Sequence, residues 1–467
     1  MYSTLSLRKV ILTQLLFAVC ILNACAQTTT ISQYLTTANK SSLLQAVPDA
    51  ISWTDGPASG TVIKVDAGKI YQEIDGFGYT LTGGSASLIN QLPDDKKNAL
   101  LRDLFSGDGI GVSYLRISIG ASDLSASLFT YNELPTGETD AAQKKFSLKQ
   151  EQSDLIPVLK KIVAINPKIK ILGSPWTAPT WMKDNKNFKG GSLLKQYFPA
   201  YARYFVRYVQ AMQKEGITID AITPQNEPLH PGNNPSMFMS ATDQAAFIRL
   251  LGPALKKAGI KTKIIAYDHN ADRPDYPLTV LRDPEANKWT DGSAFHLYAG
   301  KLSALSEVHD AFPNKNIYFT EQWVGGPGNF AEDLKWHVGT LLVGATRNWS
   351  RTVLEWNVAA DANYGPHTDK GGCTSCLGAI TINGEEVTRN VAWYVIGHAS
   401  KFVQPGSKRI ESDLATGLPN VAFKTPGGNT VLIVMNTTAS DQKFSVQDRS
   451  RHFSTSVPAG AAATLTW

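Results

Sequence analysis

Between residues 71 and 400 the sequence switches repeatedly between short β-type runs and segments with helical apolar spacing. The β-type runs fall at 73–79, 112–118, 169–174, 217–222, 263–267, 293–297, 316–320 and 352–356. Between them lie helix signals: Asp154 opens one with Pro157 in its first turn, and Ser240-Ala-Thr-Asp243 is a capping-box start. Leu88, Leu92 and Leu100 mark a helical segment after the first run, and 201–212 is an aromatic-rich helix before the fourth. Phe330, Leu334, Val338, Leu341 and Ala345 share one face over 329–347, and 392–399 supplies a last helix. Eight strands with intervening helices predict an α/β fold, a (β/α)8 TIM barrel spanning 71–400.

The two ends of the chain have a different grammar. Beyond residue 401, short β-type runs at 421–423, 430–435, 444–446 and 462–467 are separated by turns such as Pro426-Gly-Gly-Asn429. A similar run, 60–65, precedes the barrel, so 46–70 and 401–467 are expected to form a β-sandwich built from both chain ends. Arg8 and Lys9 precede an apolar stretch, 10–22, too short for a stable membrane span. It ends in Leu22-Asn-Ala-Cys25, so 1–25 reads as a signal peptide with a lipobox-like end, and 26–45 as a polar tether. The expectation is an exported protein, either secreted or a periplasmic or outer-membrane-anchored bacterial lipoprotein. A lipid on Cys25 is then its expected membrane attachment.

Of the four cysteines, Cys373 and Cys376 remain once Cys20 and Cys25 are set aside. No second Cys pair completes a zinc site, and outside the cytoplasm Cys-Thr-Ser-Cys reads as a local disulfide. The eight histidines form no H-E-x-x-H or similar cluster, so neither a metal nor another cofactor is expected. The formal net charge of +5 falls to +3 without the leader, and no basic stripe marks a nucleic-acid surface.

Chemistry concentrates at two strand ends. Pro224 and Pro228 stop the fourth run and leave Asn226 and Glu227 where strand becomes loop. The seventh ends Phe-Thr-Glu321, followed by Gln322-Trp323 and a Gly-Pro-Gly loop. Either glutamate alone reads as a solvated loop residue. Two at barrel strand ends, with aromatics nearby, fit a glycosidase in which one carboxyl is acid/base and the other nucleophile.

The sequence also resembles glycoside hydrolase family 30, the group that includes glucosylceramidases and β-1,6-glucanases. The resemblance rests on Asp75-Gly-Phe-Gly, Tyr114-Leu-Arg-Ile-Ser, Ser174-Pro-Trp-Thr-Ala-Pro-Thr-Trp-Met-Lys183 and Thr223-Pro-Gln-Asn-Glu-Pro. It continues in His296-Leu-Tyr, Phe319-Thr-Glu, Glu355-Trp-Asn and Gly397-His-Ala-Ser-Lys-Phe402. It implies Glu227 as acid/base, Glu321 as nucleophile and Asn226 on the sugar 2-hydroxyl. Arg116 would hold the nucleophile ionised and Tyr298 would hydrogen-bond it. Asp123, Trp176 and Trp356 would grip the glycone, with His296 beside them and Trp323 as a wall of the leaving-group side. Leu297 stands where relatives carry Trp, so leaving-group contacts do not transfer there. Residues 365–379, with His367 and Asp369, look more like the β-1,6-glucanase branch.

The implied partner is a β-glucan oligo- or polysaccharide, most of all β-1,6-glucan. Rival readings are an exo-acting β-glucosidase or glucosylceramidase of the same fold, and a non-catalytic surface glycan-binding lipoprotein. The latter predicts the loss of a carboxylate, and both are present.

Overall fold

The computed structural model describes residues 30–467; the leader and Cys25 lie outside the described residues. Eight parallel strands close into a barrel: Gly76–Leu81, Tyr114–Ser118, Lys170–Ser174, Ala221–Ile222, Lys263–Ala271, Thr290–Gly300, Asn316–Glu321 and Ser350–Glu355. Tyr114, Leu172, Ala221, Ile265, Ala294, Tyr318 and Leu354 pack together as one buried cluster. Strand residues alternate in direction, so Arg116, two residues beyond Tyr114, also faces the interior but nearer the C-terminal mouth. The intervening residues face the helices, as Leu115, Ile171 and Phe319 do in the large barrel–helix core. Gly78 is required where the strands close, because a Cβ there would lie 1.9 Å from the Tyr114 carbonyl oxygen.

The opposite end of the barrel is closed by matched charges. Asp75 accepts from Lys170 at 2.7 Å and from Arg351 at 2.9 and 3.1 Å. Tyr318 donates to Asp291 at 2.6 Å.

A ten-stranded sheet forms the second body, with strands from both chain ends interleaved. Ser32–Thr36 pairs antiparallel with Ala462–Thr466, and Val62–Glu73 lies between Lys408–Ser412 and Gln442–Asp448. Its own core includes Ile63, Ile410, Leu432, Val446, Phe453 and Leu465.

Three sequence expectations need correction. The stretch expected as a polar tether, 26–45, instead contributes Ser32–Thr36 and most of Leu43–Ala46 to the sheet. Its apolar residues are the reason: Ile31 is buried in the sandwich core, and Leu43 and Leu44 pack on the barrel–helix core. The helical segment through Leu88, Leu92 and Leu100 is two helices, Gly83–Gln91 and Asp94–Phe105, parted at Pro93, which cannot continue the first. Glu73, expected to open the first barrel strand, ends the long sandwich strand Val62–Glu73, and the barrel begins after it at Gly76.

Candidate active site

The chain turns sharply after Ala221–Ile222. Pro224 has no N–H for a further ladder, and the backbone is instead tied to its neighbours: Asn226 N–H donates to the Pro175 carbonyl at 2.8 Å, Glu227 N–H to that of Asp268 at 3.0 Å. Glu227 adopts φ +44°, and Tyr267 and Asp268 opposite it adopt +75° and +68°. Left-handed backbone at non-glycine residues costs about 1–2 kcal/mol each, so this rim is held by its surroundings rather than by local preference.

Arg116, fully buried, ties the mouth together. It donates to Glu321 Oε2 at 2.5 Å, Asn226 Oδ1 at 2.6 Å and Asp268 Oδ2 at 2.8 Å. Asp268 is held in turn by the hydroxyls of Ser174, Thr223 and Thr320 at 2.7, 2.8 and 2.7 Å. Tyr298 donates its hydroxyl to Glu321 Oε1 at 3.0 Å, although the residue as a whole is 39% exposed. His296 sits among three carboxylates. Its Nδ1 lies 3.2 Å from Glu227 Oε1 and 3.8 Å from Glu321 Oε1, and its Nε2 lies 3.2 Å from Asp268 Oδ1. A shared contact on one nitrogen places the two Oε1 atoms within about 7 Å of each other, within the range at which glycosidase carboxyls act on one sugar.

These neighbours separate the two glutamates electrostatically. Burial pushes Glu227 up, but the imidazoles of His269 and His296 outweigh it and hold the carboxyl low. Burial also pushes Glu321 up, and there it prevails, with Glu227 and Asp268 adding to it, over the opposing His296 and Arg116. For His296 burial works downward, yet Glu321, Asp268 and Glu227 more than reverse it and push the imidazole up to about 9. These opposite directions favour the imidazole of His296 over the Glu227 carboxyl as the holder of the proton between them.

The remaining expected residues form a wall beside this pair. The Trp176 and Trp356 rings lie 5.5 Å apart, and the Arg116 guanidinium stands 4.9 Å from the Trp176 ring. The buried Trp176 Nε1–H has no hydrogen-bond partner among the described residues. Trp323, half-buried, packs against the same cluster with Cys373 and Cys376. Asp123 is buried; that burial, with Glu321 and Glu227 nearby, pushes its carboxyl up to about 7.

Cys373 and Cys376 are joined as a disulfide. Cys376 begins a two-residue strand paired with Val324–Gly325, just beyond Glu321. On the other side the loop reaches Asp123, whose carbonyl accepts from Thr368 N–H at 2.8 Å, and a Cβ on Gly372 would lie 2.9 Å from that oxygen. The staple thus ties the segment after strand eight to the loops after strands two and seven. His367 bonds its neighbour Thr368, and Asp369 is exposed; neither contacts the two glutamates. Glu355 is occupied elsewhere, accepting from His337 at 2.7 Å.

Sequence reading missed Asp268, His269 and Asn270. The fifth β-type run, 263–267, stops short of them, whereas Lys263–Ala271 runs on to the mouth. The available signal was Asp-His-Asn directly following an apolar run, the pattern used to single out Asn226-Glu227. It also missed that histidines scattered along the chain meet in space: His269 and His296 both approach Glu227.

Comparison with known proteins agrees with this architecture. Residues 74–403 match the glycosyl hydrolase family 30 TIM-barrel domain, and residues 406–465 the family 30 beta sandwich domain. The chain is 34% identical over 444 residues to the endo-1,6-beta-D-glucanase BGN16.3 of Trichoderma harzianum, covering 90% of this chain and 89% of that one. It is 30% identical over 432 residues to the lysosomal acid glucosylceramidase of Mus musculus, covering 86% and 82%. Among solved structures, the endo-beta1,6-glucanase BT3312 superposes with a TM-score of 0.86 at 34% identity, covering 94% and 99%.

Proposed function

This chain belongs to glycoside hydrolase family 30 and is a glycoside hydrolase, and on that premise we propose that it cleaves β-1,6-linked glucan with retention of configuration. Glu321 is the nucleophile and Glu227 the acid/base. The observation that carries the assignment is the shared contact of both carboxyls with His296 Nδ1, at 3.2 and 3.8 Å. Their other partners differ in kind: Arg116 and Tyr298 both donate to Glu321, and these bonds oppose the burial that raises its carboxyl, supporting the ionised form needed for attack on the anomeric carbon. Glu227 shares its proton with His296, and that proton passes through Glu227 to the leaving oxygen. Water then enters on the same side, and the carboxylate of Glu227 removes its proton as the glycosyl–Glu321 ester breaks.

Asn226 has its carbonyl oxygen fixed by Arg116, which orients the amide NH2 toward the sugar 2-hydroxyl. Trp176 and Trp356 flank the glycone, and Asp123 bonds its hydroxyls. A β-1,6-glucan is preferred over a ceramide glucoside because two relatives named as endo-1,6-glucanases share 34% identity over 90% or more of this chain. The disulfide fits the exported location expected from the leader, since such bonds persist in oxidising compartments.

The test is product analysis on pustulan, laminarin, gentiobiose and glucosylceramide. Release of gentio-oligosaccharides from pustulan is expected; hydrolysis of glucosylceramide or of terminal glucose alone would refute the polymer assignment.

A further inference from the structure

Two imidazoles and a carboxylate converge at the mouth in a way that one proton does not fully use. Glu227, His269 and His296, all buried, each bring one donor atom within 4.8 Å of the other two. His296 Nδ1 is hydrogen-bonded to Glu227, but His269 Nδ1 is 3.7 Å from the same oxygen and has no hydrogen-bond partner among the described residues. Its side chain is only 8% exposed, so water does not readily satisfy that nitrogen either.

We propose that Glu227, His269 and His296 form a binding site for one divalent transition-metal ion of the zinc type, whose occupancy blocks hydrolysis. Two neutral imidazole nitrogens and a carboxylate oxygen are a donor set zinc accepts, with a fourth position left for water. The supporting contacts match those that orient metal ligands: His296 Nε2 is braced by Asp268 at 3.2 Å, and Asn233 donates to Glu227 Oε2 at 3.2 Å, leaving Oε1 to the ion. Donors about 2 Å from one tetrahedral zinc lie about 3.3 Å apart; the His296–Glu227 pair at 3.2 Å already has that spacing, and His269 at 3.7 Å needs a small shift toward Glu227. Binding displaces the proton between His296 and Glu227, which leaves to solvent; no redox step is involved. Because the ion would occupy Glu227 Oε1, the carboxylate oxygen that both imidazoles face, it blocks the group assigned as acid instead of supplying a catalyst. The inhibitory consequence rests on the acid/base role of Glu227, whereas binding itself does not.

Calorimetric titration of zinc chloride into the Glu321→Gln variant, which keeps all three ligands, tests binding without turnover. One ion per chain is expected, with heats that vary with buffer because a proton is released, and magnesium should not compete. Anomalous scattering at the zinc edge should place the ion between the three donors. His269→Ala, and His269→Gln if the first misfolds, should weaken binding at least about tenfold, and the turnover each variant retains should be less sensitive to zinc by the same factor. Absence of a stoichiometric site, zinc located elsewhere, or undiminished binding in a folded His269 variant would overturn the proposal. Binding at the three donors with no loss of turnover would instead count against Glu227 as the acid.

Discussion

Two fully buried histidines show how differently the molecule treats its barrel mouth and the seam between barrel and sandwich. His296 at the mouth lies among Glu227, Asp268 and Glu321 and is pushed up to about 9. His398 at the seam, on the last barrel helix, lies between the hydroxyls of Thr464 at 2.9 Å and Thr36 at 2.8 Å, and burial pulls it down to about 3. Equal burial thus gives opposite charge states, because only one site supplies carboxylates. The seam uses neutral hydrogen bonds to join strands from both chain ends. The mouth retains charge, left-handed backbone and an unpartnered imidazole, features expected where binding and chemistry are served instead of stability.

The comparison is broken most severely by substitution at the mouth. Glu321→Gln should lower turnover about ten-thousand-fold or more while the melting temperature at pH 7 holds or rises, since a buried negative charge is lost from an acid-rich site. A Glu321→Gln enzyme with near-wild-type steady-state rates would end the nucleophile assignment. Glu227→Gln should cost about 10²–10⁴-fold in kcat/KM on glucan but little in kcat/KM on an aryl glucoside whose leaving group needs no proton, although kcat on the latter falls because the second step loses its base. Equal losses on both substrates would deny Glu227 the acid role.

Tyr298→Phe removes one donor from Glu321 and should reduce kcat about 10–100-fold, the range for a hydrogen bond to a charged group. The pH profile gives a sharper reading. Glu321 is already raised above an ordinary glutamate, so the acid limb of kcat/KM should lie above about 4.3, and the variant should move it higher still. The alkaline limb should follow loss of the His296–Glu227 proton at about 9 and stay in place. A downward shift of the acid limb would show that Tyr298 does not favour the ionised carboxylate.

The two histidines also tilt stability in opposite directions. His398 is held below its unfolded value of about 6.5, so the stability linked to it is fully present above that pH and is lost as pH falls toward 3. His296 is held above it, so its contribution is present below about 6.5 and lost as pH rises toward 9. Denaturant titrations should show His398→Gln less stable than wild type at pH 7 but with a shallower acid slope, the difference approaching about 1.4 kcal/mol per pH unit. Parallel pH–stability curves would show that the seam does not carry this linkage.

The smallest effect should come from the stapled loop. Cys373→Ala or reduction leaves the glutamates in place but loosens the backbone beside Asp123, so KM should rise several-fold with little change in kcat. A larger fall in kcat than rise in KM would mean that the loop positions the reacting groups rather than the glycone.

Why some of this was legible in the sequence and some was not follows from range. Strand ends marked by Pro224 and by the Gly-Pro-Gly after Trp323 are local signals, and they led to Glu227 and Glu321. The C-terminal strands were legible for the same reason, being short apolar runs between turns. The role of Ser32–Thr36 was not, because its apolar residues are few and its partner strand lies at the far end of the chain. Asp268 and His269 were missed because their significance arises from Arg116 and Glu227, brought to them only by barrel closure. Pro93, by contrast, was a local breaker inside a pattern whose apolar spacing continued past it.

The most direct test of the central claim is to trap the intermediate with a 2-fluoro-substituted activated β-glucoside and identify the labelled peptide by mass spectrometry. One label per chain on Glu321, with wild-type product released in the β configuration, is the predicted result. Label on another residue, or product of inverted configuration, would contradict the account.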